Sequence, residues 1–455
     1  MIERKIYRTL LEWKNRSHKC LVVTGQRQVG KTFIIDAFAR AEYEHYVYIN
    51  FEDSPEMKEL FDGDTTAAEM IKKLTLRFGA DSIAGGSTLL FLDEIQECGR
   101  AYSSLKQFTE YGKIDVIASG SMLGVGIPHN GGGDEPLMPL GYQETVVMHP
   151  VDFEEFLWAM KMPEDSVEEI RACIRSRRPI EDALFARTAA LFREYMIVGG
   201  MPEAVEAYVS ANDFRPAGAV LREINATCIR DINRYNSGID RIKTAECFES
   251  IPYQLAESNK KFMYSRIRGG KSRRSAERYI ENLLWIKDAG YGVFCYGLEQ
   301  PALPLKKYVL RDSFKVYLSD TGLLLDMYGD RAKMAVYRGD GSYNMGAAAE
   351  NAVASEMAKS GLEPMYYRRD KGEGRMELDF VLEFWDGVAA IEVKSGKDRT
   401  APSLKKAGVR FDIARRIMLE PENIRVDEDG TEHYPLFACA FIDEMDRAPD
   451  GPKFS

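Results

Sequence analysis

The stretch of sequence that decides the fold is 20–32, which reads CLVVTGQRQVGKT. Its first five residues are a short apolar run of the kind that forms a buried strand, and the next eight match the pattern G-x-x-x-x-G-K-T. A segment of helix-compatible residues, 33–38, follows directly. Because a glycine-rich turn between a strand and a helix directs backbone N–H groups and the positive end of the helix toward phosphate, this order predicts a P-loop for a nucleoside triphosphate.

The residue types within the P-loop indicate how the triphosphate is held. Gly25 and Gly30 allow backbone amides to turn toward phosphate oxygens. Lys31 is expected to reach the β- and γ-phosphates, and the Thr32 hydroxyl is expected to ligate Mg²⁺. The expected nucleotide-binding residues are Gly25, Gln26, Arg27, Gln28, Val29, Gly30, Lys31 and Thr32. A chance glycine-rich turn is the alternative, but a strand and a helix flank the pattern in the correct order.

A second apolar run, 88–92, ends in Asp93 and Glu94. Such a continuous run is typical of a central parallel strand that is buried on both faces. Asp93 is expected to hold Mg²⁺ through water, and Glu94 to orient and deprotonate the attacking water. The pair therefore predicts hydrolysis of ATP as well as binding; the alternative is a pair of solvated acids that closes a strand.

A third strand is predicted over 114–119, with Gly120 and Ser121 after it. In ATPases that carry a glutamate beside the metal-binding aspartate, the strand between the P-loop strand and the acidic strand ends in a polar residue near the γ-phosphate. We assign this sensor to Ser119, with Ser121 as the second choice. Ser119 is thus predicted to be a catalytic residue in addition to Lys31 and Glu94. Serine and glycine clusters also simply end strands, so the assignment depends on the strand order.

The composition is that of a multidomain globular protein. The chain has 455 residues, of which 45% are hydrophobic and 29% charged, and this length suffices for about three domains. No stretch approaches a bilayer-spanning run and the first residues lack the apolar core of an export signal, so we expect a cytoplasmic protein without membrane insertion. The seven cysteines include no C-x-x-C pair, which favours reduced thiols over disulfides or zinc.

The net charge of −10 argues against a surface uniformly attractive to nucleic acid, so only local basic patches are candidates. The strongest is 260–278, whose basic residues are Lys260, Lys261, Arg266, Arg268, Lys271, Arg273, Arg274 and Arg278. The pattern here favours a helix, a turn and a second, amphipathic helix over 276–286, which Ser272 or Ser275 could cap. Three strand-like segments that follow would form a wing; they are 292–296, 307–310 and 315–320. A winged helix places its second helix in the major groove of DNA; the alternative is a module that only packs on the ATPase.

The last third of the chain carries a second set of candidate catalytic and metal-binding residues. Glu350 lies on a helix predicted over 346–360, and Asp379 and Glu392 lie on strands predicted over 377–384 and 388–395. As antiparallel neighbours, these strands would cluster the carboxylates around one or two divalent ions, and Lys394, on the same face as Glu392, would orient the hydroxide. The pattern predicts a PD-(D/E)xK nuclease-like domain. It departs from that pattern at Leu378, where proline is usual, and acids and a lysine at strand ends are also common without catalysis.

Further motifs along the chain carry a family resemblance. They are ASGS at 118–121, DFEEFL at 152–157, GGMPEA at 199–204, RDI at 230–232, FKVYLSDTGL at 314–323 and EVK at 392–394. Together with the P-loop and the acidic strand, they resemble the prokaryotic AAA-type ATPases with a C-terminal domain of uncharacterised function. The resemblance covers nearly the whole chain and implies an ATPase core, a winged helix and a restriction-endonuclease-like domain.

We therefore predict an α/β protein in four parts. They are a P-loop ATPase core of AAA type at 1–150, a helical lid at 151–235, a winged-helix domain at 236–330 and a restriction-endonuclease-like domain at 331–455. Arg187, Arg193 and Arg230 are candidate finger or sensor arginines. The turn at 199–202 either contacts adenine or forms a corner between helices.

The expected function is hydrolysis of ATP with Mg²⁺, coupled to a DNA-directed nuclease-like module. The expected partners are ATP and DNA, and a homo-oligomer is left open. The alternative is a signalling or scaffold ATPase whose nuclease-like domain binds a partner without cleaving it. The intact set Glu350, Asp379, Glu392 and Lys394 favours the first hypothesis, and the acidic net charge favours the second.

Overall fold

The computed structural model describes 2–17, 19–63, 66–79, 83, 87–121, 141–236, 238–267, 275–339, 345–370, 374–396 and 401–446. Most of the predicted basic patch, 268–274, lies outside these residues, as does the side chain of Arg278. The chain forms two compact units, and each is described by itself. The N-terminal unit is 3–149 with 288–290, and the C-terminal unit is 150–287 with 291–455 and 1–2.

The N-terminal unit alternates strands and helices, as expected of a parallel sheet with helices on its faces. Its elements are α1 Ile6–Arg16, β1 Cys20–Thr24, α2 Lys31–Glu42, β2 His45–Asn50, α3 Ala67–Phe78, β3 Thr88–Asp93, α4 Gly99–Ser103, α5 Leu105–Tyr111, β4 Asp115–Gly120 and β5 Gln143–Val147. The strand and helix predicted around the P-loop are β1 and α2, and the predicted acidic strand is β3.

The sheet of this unit is parallel throughout, in the order β2-β3-β4-β1-β5. Strand β4 lies between β3 and β1, which is the position that the sensor assignment requires. The register pairs Val23 with Ser119 and Asn50 with Asp93. Because all five strands run the same way, their carboxyl ends lie at one edge, where ligands bind in open α/β sheets.

Two hydrophobic layers cover the faces of this sheet. Successive side chains of a strand point to opposite faces, and in β1 Val22 packs into one layer while Leu21 and Val23 pack into the other. Strand β3 is buried along its whole length. The apolar runs therefore hold the P-loop at the end of β1 and the acidic pair at the end of β3, on two buried strands that β4 separates.

The C-terminal unit begins with helices and continues into a second sheet. Its helices are α6 Phe153–Ala159, α7 Glu164–Ser176, α8 Asp182–Val198, α9 Pro202–Ala211, α10 Phe214–Tyr235, α11 Gly238–Leu255, α12 Ser275–Asp288, α13 Thr321–Tyr328, α14 Asp330–Arg338, α15 Met345–Lys359, α16 Pro402–Arg410 and α17 Ile442–Met445. Its strands are β6 Gly292–Leu298, β7 Val309–Leu318, β8 Met365–Arg369, β9 Met376–Phe384, β10 Gly387–Val393, β11 Arg415–Glu420, β12 Arg425–Val426 and β13 Glu432–Pro435.

These strands form one mixed sheet in the order β12-β13-β11-β10-β9-β8-β6-β7. The middle of the sheet is the antiparallel run β8, β9 and β10. Strand β6 pairs antiparallel with β7 and parallel with β8. The three segments expected to form a wing fall largely in β6 and β7, which are an edge of the same sheet that carries Asp379 and Glu392 and share its hydrogen bonding. The division between 236–330 and 331–455 crosses this sheet.

Candidate active site

The P-loop backbone has the conformation that its glycines allow. Gly25 has a φ of +142° and Gly30 a φ of +90°. Residues that carry a Cβ atom rarely adopt such positive φ angles. A Cβ atom on Gly25 would lie 2.2 Å from the carbonyl oxygen of Met148. The loop can therefore keep this path only with glycine at position 25.

Helix α2 begins directly after Gly30, and no side chain caps its N-terminus. The first N–H groups of a helix lack intrahelical partners, so this end offers donors and a positive dipole to an anion. Arg4 supports the loop from behind, since its Nη1 donates to the carbonyl oxygen of Val29 at 3.1 Å and its Nη2 to that of His149 at 2.6 Å. Sequence reasoning missed Arg4, because nothing in its neighbourhood marks it as a partner of the loop.

Lys31 is buried against the P-loop. Its Nζ donates to the carbonyl oxygens of Gly25 at 2.8 Å and Gln26 at 2.9 Å. Burial lowers the pKa of Lys31 to about 8, although Glu94 and Asp93 oppose the shift. The ammonium is thus held beside the P-loop, in a buried position that makes it easier to deprotonate than an exposed lysine.

Asp93 joins three elements at the carboxyl edge of the sheet. Its Oδ2 accepts hydrogen bonds from the hydroxyl of Thr32 at 2.8 Å and from that of Tyr48 at 3.0 Å. Its Oδ1 accepts from the hydroxyl of Ser119. The predicted residues Thr32, Asp93 and Ser119 therefore meet, and Tyr48 on β2 is an addition that no sequence motif singled out.

Glu94 follows Asp93 with a left-handed backbone, φ 50° and ψ 47°. Its Oε2 accepts from the Nε2 of Gln96 and from the hydroxyl of Ser121 at 3.4 Å, neither of which contacts Asp93 through a described hydrogen bond. Burial raises the pKa of Glu94, while the hydrogen bond from Gln96 and the charges of Lys31 and Arg27 oppose the rise. A carboxylate with raised pKa is better suited to take a proton from water.

Arg27, in a variable position of the P-loop, connects to the same group. Its Nε donates to the hydroxyl of Ser121 at 3.3 Å and its Nη2 pairs with Glu52 Oε2 at 3.3 Å. Ser121 therefore links the P-loop with Glu94, while Ser119 contacts Asp93. Ser119 and Ser121, the two candidates for the sensor, therefore have different hydrogen-bond partners.

The carboxylate cluster of the C-terminal unit is assembled by β9, β10 and α15. The two strands are antiparallel, as predicted, and Phe380 pairs with Ile391. The next residues outward are Asp379 and Glu392, and the N–H of Val393 donates to Asp379 Oδ2 at 2.9 Å. Burial raises the pKa of Asp379 well above its ordinary value, and the nearby carboxylates of Glu350 and Glu392 add to the rise.

Glu350 is nearly inaccessible on α15 and is surrounded by donors. Lys260 forms an ion pair with its Oε1, and the hydroxyl of Tyr317 donates to its Oε2 at 3.0 Å. Lys315 Nζ lies 3.8 Å from Oε2. Burial raises the pKa of this carboxyl, but the two lysines outweigh burial and the pKa is lowered. Neither lysine was assigned to this site from the sequence, because both come from 236–330.

Glu392 is the third carboxylate, and Lys394 lies beside it. The Lys394 Nζ is 2.9 Å from Glu392 Oε1, as expected for residues on the same face of a strand. Glu392 Oε2 is buried and accepts no hydrogen bond from a described residue. Burial raises the pKa of Glu392, partly offset by the hydrogen bond and charge of Lys394.

The two sites differ in how they suit a divalent ion. At the P-loop, Thr32 and Asp93 present hard oxygen atoms to one point, the donor type that Mg²⁺ requires, and phosphate oxygens and water normally complete its shell. In the C-terminal cluster the carboxylates already have ammonium or N–H partners. Over the described ranges, no group of three or more His, Cys, Asp or Glu side chains is arranged to hold a metal ion. The residues of the C-terminal cluster, as arranged, do not fit one.

Two other predicted features have defined places. Arg230 is exposed and pairs with Glu223 on its own helix. The turn at 199–202 forms a helix corner within the C-terminal unit: the N–H of Gly200 donates to Asp320 Oδ2, and a Cβ on Gly199 would lie 2.2 Å from Asp320 Oδ1. The close approach of Asp320 is the reason for glycine at position 199.

Comparison with known protein families matches three segments of the chain. Residues 17–157 match the model of an AAA domain. This match supports a P-loop ATPase core of AAA type in this segment. It contains the P-loop, Asp93, Glu94 and Ser119, so the site described above lies within the segment that matches the AAA domain. Residues 189–333 and 345–437 match two domains of unknown function, DUF8612 and DUF4143. Neither description names an activity.

A search of the curated proteins found no significant match. Solved structures similar to this chain include a Walker-type ATPase of Pyrococcus abyssi, at 15% identity, 72% coverage of this chain, 96% of that chain and a TM-score of 0.43. The AMPPCP-bound DnaA of Aquifex aeolicus is 14% identical, with 63% and 93% covered and a TM-score of 0.30. A signal transduction ATPase with a tetratricopeptide repeat sensor from Pyrococcus horikoshii is 12% identical, with 78% and 48% covered and a TM-score of 0.26.

The helices of the structure can be compared with the length and composition that a membrane span requires. Among the helices of the described ranges, none combines the length and apolar character needed to cross a bilayer.

Proposed function

We propose that the chain is an ATP-hydrolysing switch whose AAA domain couples its nucleotide state to a DNA-directed, nuclease-like module in the C-terminal unit. The observation that supports the first part is the meeting of Thr32, Asp93 and Ser119 beside Lys31, with Glu94 turned to a separate position. Binding and water activation thus fall to different carboxylates, which is the division of labour that hydrolysis needs.

Lys31 and the start of α2 are proposed to bind the triphosphate. In the nucleotide-free chain the Lys31 ammonium donates to two P-loop carbonyl oxygens. When ATP binds, a negatively charged phosphate oxygen would replace these carbonyl oxygens as the acceptor. A charge-assisted hydrogen bond is stronger than one to a neutral carbonyl. Thr32 and Asp93 would hold Mg²⁺, which supplies Lewis acid stabilisation of the charge on the phosphate oxygens.

Glu94 is proposed as the general base. Its buried carboxylate has a raised pKa, and Gln96 and Ser121 hold it in one orientation. Such a group is suited to take a proton from the attacking water. Ser119 is proposed as the sensor, acting through its hydrogen bond to Asp93, with Ser121 as the residue that orients Glu94.

Contact with DNA is proposed at the basic patch and the C-terminal unit. The support is the charge of 260–278 in a chain of net charge −10. Substituting glutamate for Arg273, Arg274 and Arg278 is expected to weaken duplex binding and to flatten its salt dependence, because phosphate contacts release counterions. Unchanged affinity and slope would show that the patch faces protein instead.

A second candidate function is an ATPase whose nuclease-like module binds a partner and cleaves nothing. The ion pair between Lys260 and Glu350 favours it, because an ammonium occupies a carboxylate that metal-dependent cleavage would use. The two candidates share the ATPase and differ only in the chemistry of the C-terminal cluster.

One set of assays tests both. ATP turnover is measured for wild type and Lys31→Ala, and plasmid nicking is measured with Mg²⁺ or Mn²⁺, with and without ATP, for wild type, Asp379→Ala and Glu392→Ala. We expect Lys31→Ala to abolish turnover. Under the cleaving candidate each carboxylate variant loses the nicking that the wild type shows and keeps turnover nearly intact. Turnover by Lys31→Ala at the wild-type rate would refute the P-loop assignment. Absence of nicking on single-stranded, duplex or branched DNA and on RNA in every nucleotide state would leave the non-cleaving candidate.

A further inference from the structure

The turn that follows α12 lies against the P-loop. Residues 150–287 and 291–455 belong to the C-terminal unit, but 288–290 are part of the N-terminal unit. Gly290 contacts Gln26, the second residue of the P-loop: a Cβ atom on Gly290 would lie 3.3 Å from the backbone nitrogen of Gln26 and 3.4 Å from its Cβ. A segment from far along the chain therefore forms part of the surroundings of the phosphate-binding loop.

The position of Gly290 at the end of α12 already favours glycine. Its φ is +77°, and the N–H of Tyr291 donates to the carbonyl oxygen of Ile286 at 3.0 Å. This bond is the one that closes a Schellman motif, in which the residue after the helix has a left-handed backbone and is usually glycine. The close approach to Gln26 is a second and separate reason for glycine at this position.

Gln26 in turn helps to hold Lys31. It is buried, and its carbonyl oxygen accepts from Lys31 Nζ at 2.9 Å. The preceding residue, Gly25, has no room beside it, because a Cβ there would lie 2.2 Å from the carbonyl oxygen of Met148. All three atoms nearest to a Cβ on Gly290 belong to Gln26, which would have to move by a few tenths of an ångström to accept it.

We infer that Gly290 is a positioning residue of the nucleotide site, which leaves the space that Gln26 needs to keep its carbonyl oxygen on Lys31. The inference rests on the proposed ATPase function, and it adds to the site a residue outside 17–157, the segment that matches the AAA domain. Its physical basis is geometry: Lys31 must meet the phosphates from a fixed place, and a small displacement of a positioned group lowers the rate strongly.

The chain contains a matched control for this glycine. Gly361 ends α15 with the same φ of +77°, and the N–H of Leu362 donates to the carbonyl oxygen of Met357 at 2.9 Å in the same type of motif. Apart from its chain neighbours, no residue that the structure describes has an atom within 4 Å of a Cβ on Gly361. A substitution at Gly361 therefore strains the end of a helix in the same way without pressing on the P-loop.

The test compares substitutions of the two glycines in the full chain. Alanine is placed at each position, and so is asparagine, which tolerates a left-handed backbone better than alanine does. Steady-state phosphate release gives kcat/KM for ATP, and calorimetry gives the affinities for ADP and for the non-hydrolysed analogue AMPPCP. Circular dichroism and urea unfolding show whether each variant is folded.

We expect Gly290→Ala and Gly290→Asn to have a kcat/KM for ATP at least about tenfold below that of the corresponding Gly361 variants, which should stay within about twofold of wild type. The loss of affinity should be larger for AMPPCP than for ADP, because Lys31 is expected to reach the γ-phosphate that ADP lacks. A role confined to the end of the helix would lower stability at both positions and would not distinguish the two nucleotides.

Three results would overturn the inference. The first is equal kcat/KM in the folded Gly290 and Gly361 variants, and the second is an equal loss of affinity for AMPPCP and ADP, which would exclude action through Lys31. The third is unfolding of both Gly290 variants while the Gly361 variants fold, because the contact would then serve the fold. These results differ from failure of the proposed function, in which the wild-type chain itself neither binds nor hydrolyses ATP.

Discussion

The hydroxyl of Thr32 donates to Asp93 Oδ2 across 2.8 Å, a bond that joins the first turn of α2 to the end of β3. Sixty-one positions separate the two residues in the chain, and the parallel order of β1, β4 and β3 brings them together. The pair defines where Mg²⁺ and the terminal phosphates are expected to lie, and the hydroxyl is the group that can be removed with the least change of shape.

Thr32→Val replaces this hydroxyl with a methyl group of similar size. We expect ATP turnover to fall about 100-fold or more, because a metal ion and phosphate that are misplaced by a fraction of an ångström lose the geometry of attack. Thr32→Ser retains the oxygen and is the matched control, which should keep most of the activity. The measurement is steady-state phosphate release, and similar rates for the two variants would remove Thr32 from the metal site.

Glu94→Gln should separate binding from hydrolysis. The amide keeps the size of the side chain and leaves Asp93 and Thr32 in place, so nucleotide affinity should stay within a few-fold of wild type, whereas turnover should fall about 100-fold or more. Fluorescent-nucleotide titration and single-turnover hydrolysis measure the two properties. Loss of both would indicate that Glu94 has a structural role, and loss of neither would show that another group activates water.

Arg27 should influence the pH dependence of hydrolysis through Glu94. Burial raises the pKa of Glu94 and Arg27 is one of the groups that oppose this rise. Removing the guanidinium in Arg27→Met should therefore raise the pKa further, so that the base is ionised only at higher pH and the acidic limb of the kcat profile moves upward. Arg27→Lys, which keeps the charge, should shift the limb less. An unmoved limb in Arg27→Met would limit Arg27 to binding or structure.

Lys31 should make ATP binding dependent on pH above about 8, the value to which burial lowers its pKa. Below this pH the ammonium is present before binding; above it the side chain is largely neutral, and triphosphate must restore the proton. Affinity should therefore fall as pH rises through 8 to 9, with proton uptake on binding. Calorimetry in two buffers of different ionisation enthalpy measures the uptake. Lys31→Arg, whose guanidinium stays charged, should show less uptake at pH 9.

Tyr195 should stabilise the C-terminal unit through a buried polar network. Its hydroxyl lies 2.6 Å from Glu356 Oε1 and 2.8 Å from the carbonyl oxygen of Val151, and its single proton is shared between these two acceptors. Tyr195→Phe leaves both acceptors without this donor, and the free energy of unfolding should fall by about 1–3 kcal/mol. Tyr253→Phe is the control, because Tyr253 is 77% exposed and its change should stay within about 0.5 kcal/mol. Urea unfolding followed by circular dichroism checks both.

Much of the AAA domain could be predicted from sequence because its signals are local. The run at 89–92 has no polar residue, so it forms a strand buried on both faces, and Gly25 and Gly30 permit backbone angles that other residues resist. Helix α2 and strand β3 therefore begin and end where the motifs place them. The pairing of β9 with β10 was also predictable, since two short strand-like segments separated by a tight turn favour antiparallel neighbours.

The sequence by itself determined the strand, loop and helix of the P-loop, the acidic pair at the end of β3 and the carboxylates on β9 and β10. Only the tertiary structure decided what surrounds them. Lys260 meets Glu350 across 90 positions of the chain, and β6 joins β8 in one sheet although the sequence favoured two separate modules. The reason is physical: apolar periodicity and glycine angles act over a few residues, whereas the partner of a buried charge depends on which distant segments the sheet brings together.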